Sequence, residues 1–234
     1  MSRPLVTAAA EWYKSSDDSL IRPSIHTMPA SDNSTQRTQA LAMLKRRGMT
    51  RLAEFSEAGI TATTVGRMER AGEVVRLARG LYQLRDAALD TQQSLAEATR
   101  LVPKGVICLA SALAFHGLTD QIPPKVWIAI GRKAWRPRLT YPPIRIARFS
   151  DELLHRSVER RRIAGTIVPV FGVAKTVADL FRYSRTVGDA LAIEGLRQAL
   201  RQSRATPAEF AREAEVAGVW ATMEPYVMAL TSDA

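Results

Sequence analysis

Five side chains crowded into ten residues have the chemistry to hold a polyanion: Thr61, Thr63, Thr64, Arg67 and Arg70. Hydroxyls donate to phosphate oxygens. A guanidinium presents a planar fork that matches a phosphate or the O6/N7 edge of guanine. Wound as an α-helix, Thr63, Arg67 and Arg70 fall within about a 60° arc. Ala62, Val65 and Met68 fall towards the other side. Such a segment anchors itself by an aliphatic face and turns its Thr/Arg face outward, as a recognition helix must. Thr61 and Thr64 flank the helix start, where free backbone N–H groups also attract phosphate. Glu69 falls near the packing side and has no role in this scheme.

Further cations follow. Arg76 and Arg79 lie in a segment with hairpin character, the second at its tip, placed for a DNA backbone or a minor groove. A second concentration comprises Arg132, Lys133, Arg136 and Arg138, with Trp135 and Tyr141 interleaved, and then Arg156, Arg160, Arg161 and Arg162. Four readings stand open for it. It extends a DNA footprint, it binds RNA with aromatics stacking bases, it faces an acidic protein partner, or it is a solvated loop surface.

Catalytic chemistry fares worse. His26, His116 and His155 are far apart in sequence and lack metal-ligand spacing. His116 precedes Gly117 at an expected helix end, where a ring N–H meets free carbonyls. The single cysteine, Cys108, sits in the apolar run Val106-Ile107-Cys108-Leu109 and reads as a small buried hydrophobe. Asp151, Glu152 and Asp179 could ligate a metal, but no carboxylate–lysine triad accompanies them. The run Gly172-Val-Ala-Lys-Thr176 lacks the upstream glycine of a phosphate loop, and Lys175 reads as a first-turn helix residue. The expectation is therefore no catalytic residue, no metal and no cofactor. A DNA-modifying or cleaving enzyme is the least favoured reading.

The elements that must position these groups are legible. Residues 1–35 carry Ser, Asp, Asn and Pro without sustained apolar periodicity and read as a disordered extension. Met28 is a possible alternative start. From Gln36, Leu41, Met43 and Leu44 form a helical stripe that stops at Gly48. Thr50 reads as the N-cap of a second short helix carrying Leu52, Ala53 and Phe55. Thr61 caps a third that runs through Arg70 and closes at Gly72. Two β-rich runs, 73–77 and 81–84, with Ala78-Arg79-Gly80 between them, give a hairpin.

Three helices and a hairpin, over 36–88, are the order of a winged helix-turn-helix. Residues 89–234 follow as a mixed α/β C-terminal domain, so the fold class is α+β. A linking helix is expected over 90–102. Strands are expected at 125–130, 144–148, 160–163 and 166–171. Helices are expected at 109–116, 173–183, 186–202 and 206–217, the last opened by a capping box at Thr206-Pro-Ala-Glu209.

Composition agrees with a nucleic-acid partner. The 234 residues carry 33 Lys and Arg against 23 Asp and Glu, a formal charge of +10. A surplus of that size attracts polyanions. No run approaches the roughly 18 apolar residues of a membrane span, no secretory signal core opens the chain, and one cysteine permits no disulfide framework. The expected location is cytoplasmic.

Three stretches carry a family likeness. Ala58-Gly-Ile-Thr-Ala-Thr-Thr-Val-Gly-Arg-Met-Glu-Arg-Ala-Gly72, running on through Glu73-Val-Val-Arg-Leu-Ala-Arg-Gly-Leu-Tyr82, resembles the N-terminal winged helix of AbiEi-type antitoxins. Val106–Thr119 with Pro123–Ile130 is similar to that family's middle segment, and Val173–Phe181 to its C-terminal half. The resemblance implies a type IV toxin–antitoxin regulator that binds double-stranded operator DNA, represses its own operon and counteracts an AbiEii-type nucleotidyltransferase toxin. It implies DNA-contact roles for Thr61, Thr63, Thr64, Arg67, Arg70, Arg76 and Arg79, and antitoxicity for the C-terminal half. A stand-alone winged-helix regulator would read the same way. Monomer and dimer on DNA both remain open.

Overall fold

The computed structural model describes residues 30–87, 92–137 and 142–232. Helix α1 (Ala30–Arg47) opens the described chain. It starts ahead of the expected boundary at 36, so residues 30–35 are helical, not disordered; Met28 and the rest of 1–29 lie outside the described residues. Gly48 ends it with φ +73, a conformation that costs a residue with a Cβ about 1–2 kcal/mol.

Strand β1 (Met49–Arg51) then forms where a helix cap was expected. Thr50 is not an N-cap. It is fully buried in β1, paired opposite Tyr82, and Arg51 is the N-cap of α2 (Leu52–Glu57). Helix α3 (Ala62–Arg70) begins at its expected cap, Thr61, and the chain turns at Gly72 with φ +74. The hairpin is β2 (Val74–Ala78) and β3 (Leu81–Leu84). Strand β1 adds to it in the order β1-β3-β2, all antiparallel. Ala40, Leu44, Phe55, Ile60, Val65, Met68, Val74 and Tyr82 make one buried cluster that unites α1, α2, α3 and the hairpin.

The second half is built on a five-stranded mixed sheet. After α4 (Gln93–Leu101) come β4 (Val106–Ile107), α5 (Leu109–Phe115), β5 (Val126–Gly131), β6 (Ile144–Phe149), α6 (Asp151–His155), β7 (Val158–Ile163) and β8 (Thr166–Phe171). The strand order is β6-β5-β4-β8-β7. Helices α7 (Val173–Arg182), α8 (Ser184–Val187), α9 (Asp189–Arg201), α10 (Pro207–Ala217) and α11 (Trp220–Ser232) complete the chain. The single helix expected over 186–202 is two, because Gly188 adopts φ +93 between α8 and α9. The capping box of α10 forms as expected, with Thr206 and Glu209 satisfying each other's backbone N–H.

Alternation along β5 sorts its side chains to two cores. Trp127 and Ala129 join Phe149, Phe171, α5, α7 and α9–α11 on one face. Val126, Ile128 and Ile130 join α4, Val168 and Val170 on the other. Met49 and Leu81 belong to this second core, and Leu77 and Ala78 pack against it. The N-terminal elements are thus fastened to the sheet through shared apolar burial rather than strung from a linker. Polar contacts reinforce the seam. Glu54 pairs with both Arg47 and Arg100, and the Thr166 hydroxyl donates to the Arg47 carbonyl.

The tightest point of the seam is Gly48. A Cβ there would stand 1.8 Å from the Ala164 carbonyl oxygen, which is backbone and cannot swing aside. Gly48→Ala should therefore lower stability by more than the roughly 1–2 kcal/mol of its positive φ alone. Thermal unfolding checks this. A melt equal to wild type would mean the two halves do not meet there.

Candidate nucleic-acid interface

Helix α3 is fixed before anything binds it. Val65 and Met68 are almost fully buried and hold its inner face on α1, α2 and the hairpin. Its start is tied to α1 by one side chain that sequence reasoning missed, Gln36. The Gln36 amide oxygen accepts from the Thr61 N–H at 3.1 Å and from the Thr61 and Thr64 hydroxyls at 3.3 and 2.9 Å. Thr61 also caps the helix, accepting from the Thr64 N–H at 3.2 Å. Nothing local in the sequence marks Gln36, because its partners lie 25 and 28 residues away.

This network changes the expected role of Thr64. It is buried, and its hydroxyl is committed to Gln36 and Thr61 inside the protein. Ala62 also departs from its expected place and is exposed instead of packed. Thr63, Arg67 and Arg70 are all exposed, on the side of α3 away from Val65 and Met68. Their held posture comes from α3 itself. Arg70 Nε donates to the Gly66 carbonyl at 3.3 Å, and Arg67 Nη2 lies 3.5 Å from the Thr64 hydroxyl.

The hairpin presents Arg76 and Arg79, both exposed. Gly80, at φ +71, turns the chain beside Arg79, and its carbonyl accepts from the Leu52 N–H at 2.8 Å. A shift in strand register between Arg76 and Ala78 bends the strand just before the tip. The tip is thereby pinned to α2 on one side and, through Leu77 and Ala78, to the second core on the other. Arg79 is exposed on a rigid corner, not at the end of a free flap. Arg85 is a further cation near the end of α3, where its Nε donates to the Gly72 carbonyl at 2.6 Å. Of the acids in this region, Glu73 is held by Arg37 at 2.9 Å, and Glu69 of α3 is half-buried.

The second basic group does not form one patch. Arg132, Lys133 and Arg136 are exposed in the loop after β5. Arg156, Arg160, Arg161 and Arg162 lie on or beside β7, which β4 and β8 separate from β5. Arg156 is committed to Glu213 at 3.0 Å, Arg161 pairs with Glu159, and Arg162 reaches the Gly165 carbonyl at 3.4 Å. Arg138 and Tyr141 lie outside the described residues.

Of the groups weighed for catalysis, Cys108, His116 and Asp179 are buried, whereas Asp151, Glu152 and His155 are exposed; His26 lies outside the described residues. Cys108 is fully buried at the N-cap of α5, and burial pushes its thiol well above the ordinary range. His116 ends the same helix, buried, with Nε2 2.8 Å from the Phe171 carbonyl; burial lowers its pKa and favours the neutral ring. Asp179 is buried in α7 and accepts from Lys175 Nζ at 2.9 Å. The described residues contain no cluster of three or more His, Cys, Asp or Glu able to hold a metal. Among them, no helix is long and apolar enough to cross a membrane.

Comparison with known proteins places the candidate interface in a family segment. Residues 38–85, from within α1 through β3, match the family described as "Transcriptional regulator, AbiEi antitoxin". The likeness stated from sequence thus holds over the stretch carrying α3 and the hairpin; 106–130 and 173–181 lie outside the match. No curated protein matches the chain. Among solved structures, the RV2827C protein from Mycobacterium tuberculosis aligns at 17% identity and a TM-score of 0.40, over 77% of this chain and 81% of that one.

Proposed function

We propose that this chain, with its AbiEi antitoxin segment at 38–85, is a winged-helix regulator that binds operator DNA and represses its own operon. In this reading α3 is the recognition helix and β2–β3 the wing. Residues 36–88 form the DNA-binding domain, and 89–234 the antitoxin domain. The protein acts in the cytoplasm by binding rather than catalysis. The observation that carries the reading is the division of α3: Val65 and Met68 buried, Thr63, Arg67 and Arg70 exposed. That division lets the helix enter a major groove without loosening its own fold. Arg76 and Arg79 contact backbone beside it, and Thr61 closes the helix start near a phosphate. Thr64 supports that start from inside, through Gln36.

The second part of the proposal concerns the toxin. The chain counteracts a nucleotidyltransferase of the AbiEii type, and co-expression with that enzyme tests it directly. Restored growth supports antitoxin action, whereas persistent arrest with intact operator binding leaves a stand-alone regulator.

Operator binding has its own signature. Affinity for DNA upstream of the chain's own gene should fall steeply with salt, because each neutralised phosphate releases counterions. Arg79→Ala should reduce the slope of log K against log salt by about one and leave base preference intact. Arg67→Ala should relax base preference. Equal affinity for operator and scrambled duplex, with a flat salt response, would sink the reading.

A further inference from the structure

We infer that the turn at residues 132–137, which follows β5, is a second nucleic-acid site, one that takes an unpaired stretch of strand. Trp135 stands 77% exposed in this loop, although an indole is among the side chains that gain most from burial. Arg132, Lys133 and Arg136 are exposed around it. The concavity they share with Ile144 and Arg148 has a volume of about 730 Å³, and among the described residues no Asp or Glu lines it; Asp151 lies beside Gly131, at the start of the turn. An aromatic face set among cations fits a ligand that has both flat π faces and phosphates.

This turn is held ready by Arg148 of β6. Its Nη1 donates to the carbonyls of Gly131, Arg132 and Ala134 at 3.2, 2.6 and 2.9 Å. The Arg148 carbonyl in turn accepts from the Tyr183 hydroxyl at 2.7 Å. One guanidinium thus fixes the turn that carries Trp135, so little ordering is left for the moment of binding.

Unpaired strand suits this geometry better than duplex. In a duplex the base faces are stacked on one another, and an indole reaches them only by forcing a step apart. In a single strand every base offers a free face, and phosphates at each nucleotide meet the flanking Arg and Lys. The site uses none of the residues assigned to the operator, so either can fail without the other.

The test measures fluorescence anisotropy of labelled oligouridine and oligodeoxythymidine, each about ten nucleotides, with the full chain. Trp135→Ala should weaken binding roughly 5- to 150-fold, the loss expected for one stacked base, and Trp135→Phe should restore most of it. Arg148→Met removes the nitrogen that donates to all three carbonyls, so it should also weaken binding. Operator duplex affinity should be unchanged in all three. Preference for oligouridine identifies RNA as the ligand; equal binding identifies single strands of either sugar. If the wild-type chain binds neither oligonucleotide, the inference is overturned. It is equally overturned if Trp135→Ala binds both as wild type does, or if poly-glutamate displaces the oligonucleotide from wild type and Trp135→Ala alike, the behaviour of a face for an acidic protein.

Discussion

Replacing Arg67 and Arg70 together by Ala should weaken operator binding by about 2–4 kcal/mol, roughly 30- to 700-fold, while the protein stays folded. The magnitude follows from two guanidinium contacts at about 1–3 kcal/mol each, discounted because neighbouring contacts are not additive. The fold is spared because both side chains are exposed and neither belongs to the buried cluster that holds α3. Exposed substitutions of this kind usually change stability by less than about 0.5 kcal/mol. Arg197→Ala together with Arg201→Ala, two exposed charges on α9, is the matched control, since α9 packs on the opposite face of the sheet from the N-terminal elements. It removes two positive charges without touching the interface, so its effect isolates long-range attraction. A binding assay of the double variant against this control separates contact from net charge.

The second large effect lies in the core. Lys175 is 3% exposed, its ammonium 2.9 Å from Asp179 and 4.3 Å from the centre of the Phe171 ring. Burial pushes the Asp179 carboxyl up to about 6, and the neighbouring Lys175 acts in the opposite direction. Lys175→Met conserves volume but removes that carboxylate's hydrogen-bonded counter-charge, leaving only the weaker influence of Arg182. It should cost about 3–5 kcal/mol at neutral pH.

The pH dependence has a definite sign. A carboxyl whose folded pKa exceeds its unfolded value of 3.8 holds a proton that the unfolded chain has released. Its stabilising contribution is complete below 3.8 and is lost as pH rises through the folded value. Removing Lys175 raises that folded value further. The deficit of Lys175→Met relative to wild type should therefore shrink on acidification from neutral pH towards about pH 4. Denaturant unfolding of both proteins across this range measures it. A deficit that stays constant would show that Asp179 is not the group left exposed to the loss.

How much of this could be read from residues alone depended on the distance over which each signal acts. Helix α3 was legible because its cap, its apolar spacing and its terminal glycine all sit within Thr61–Gly72. The hairpin was legible for the same reason, as were β5 through β8 and the capping box of α10. Strand β1 was not, because three residues cannot show alternation, and its pairing with β3 lies thirty or more residues downstream. Thr64 looked like a surface hydroxyl because the glutamine that takes it inward belongs to another helix.

Lys175 and Asp179 stand at i,i+4, a spacing that ordinarily marks a solvated helix face. Only the layering of α7 between the sheet and α10 buries them. The join between the halves was illegible as well, since Gly48 meets Ala164 and Gly165 across more than a hundred residues. Of the candidate site, the outward Arg/Thr face was visible in advance. What braces it was not.

In the proposed function, duplex DNA meets the outer face of α3 and the adjoining hairpin tip. Amide resonances of the isotope-labelled chain, followed as operator duplex is added, report on that surface residue by residue. The shifts should concentrate on Thr61–Arg70 and Arg76–Gly80, with the α9–α11 face unmoved. Shifts that cluster on α9–α11 while the α3 amides stay still would contradict the proposed function.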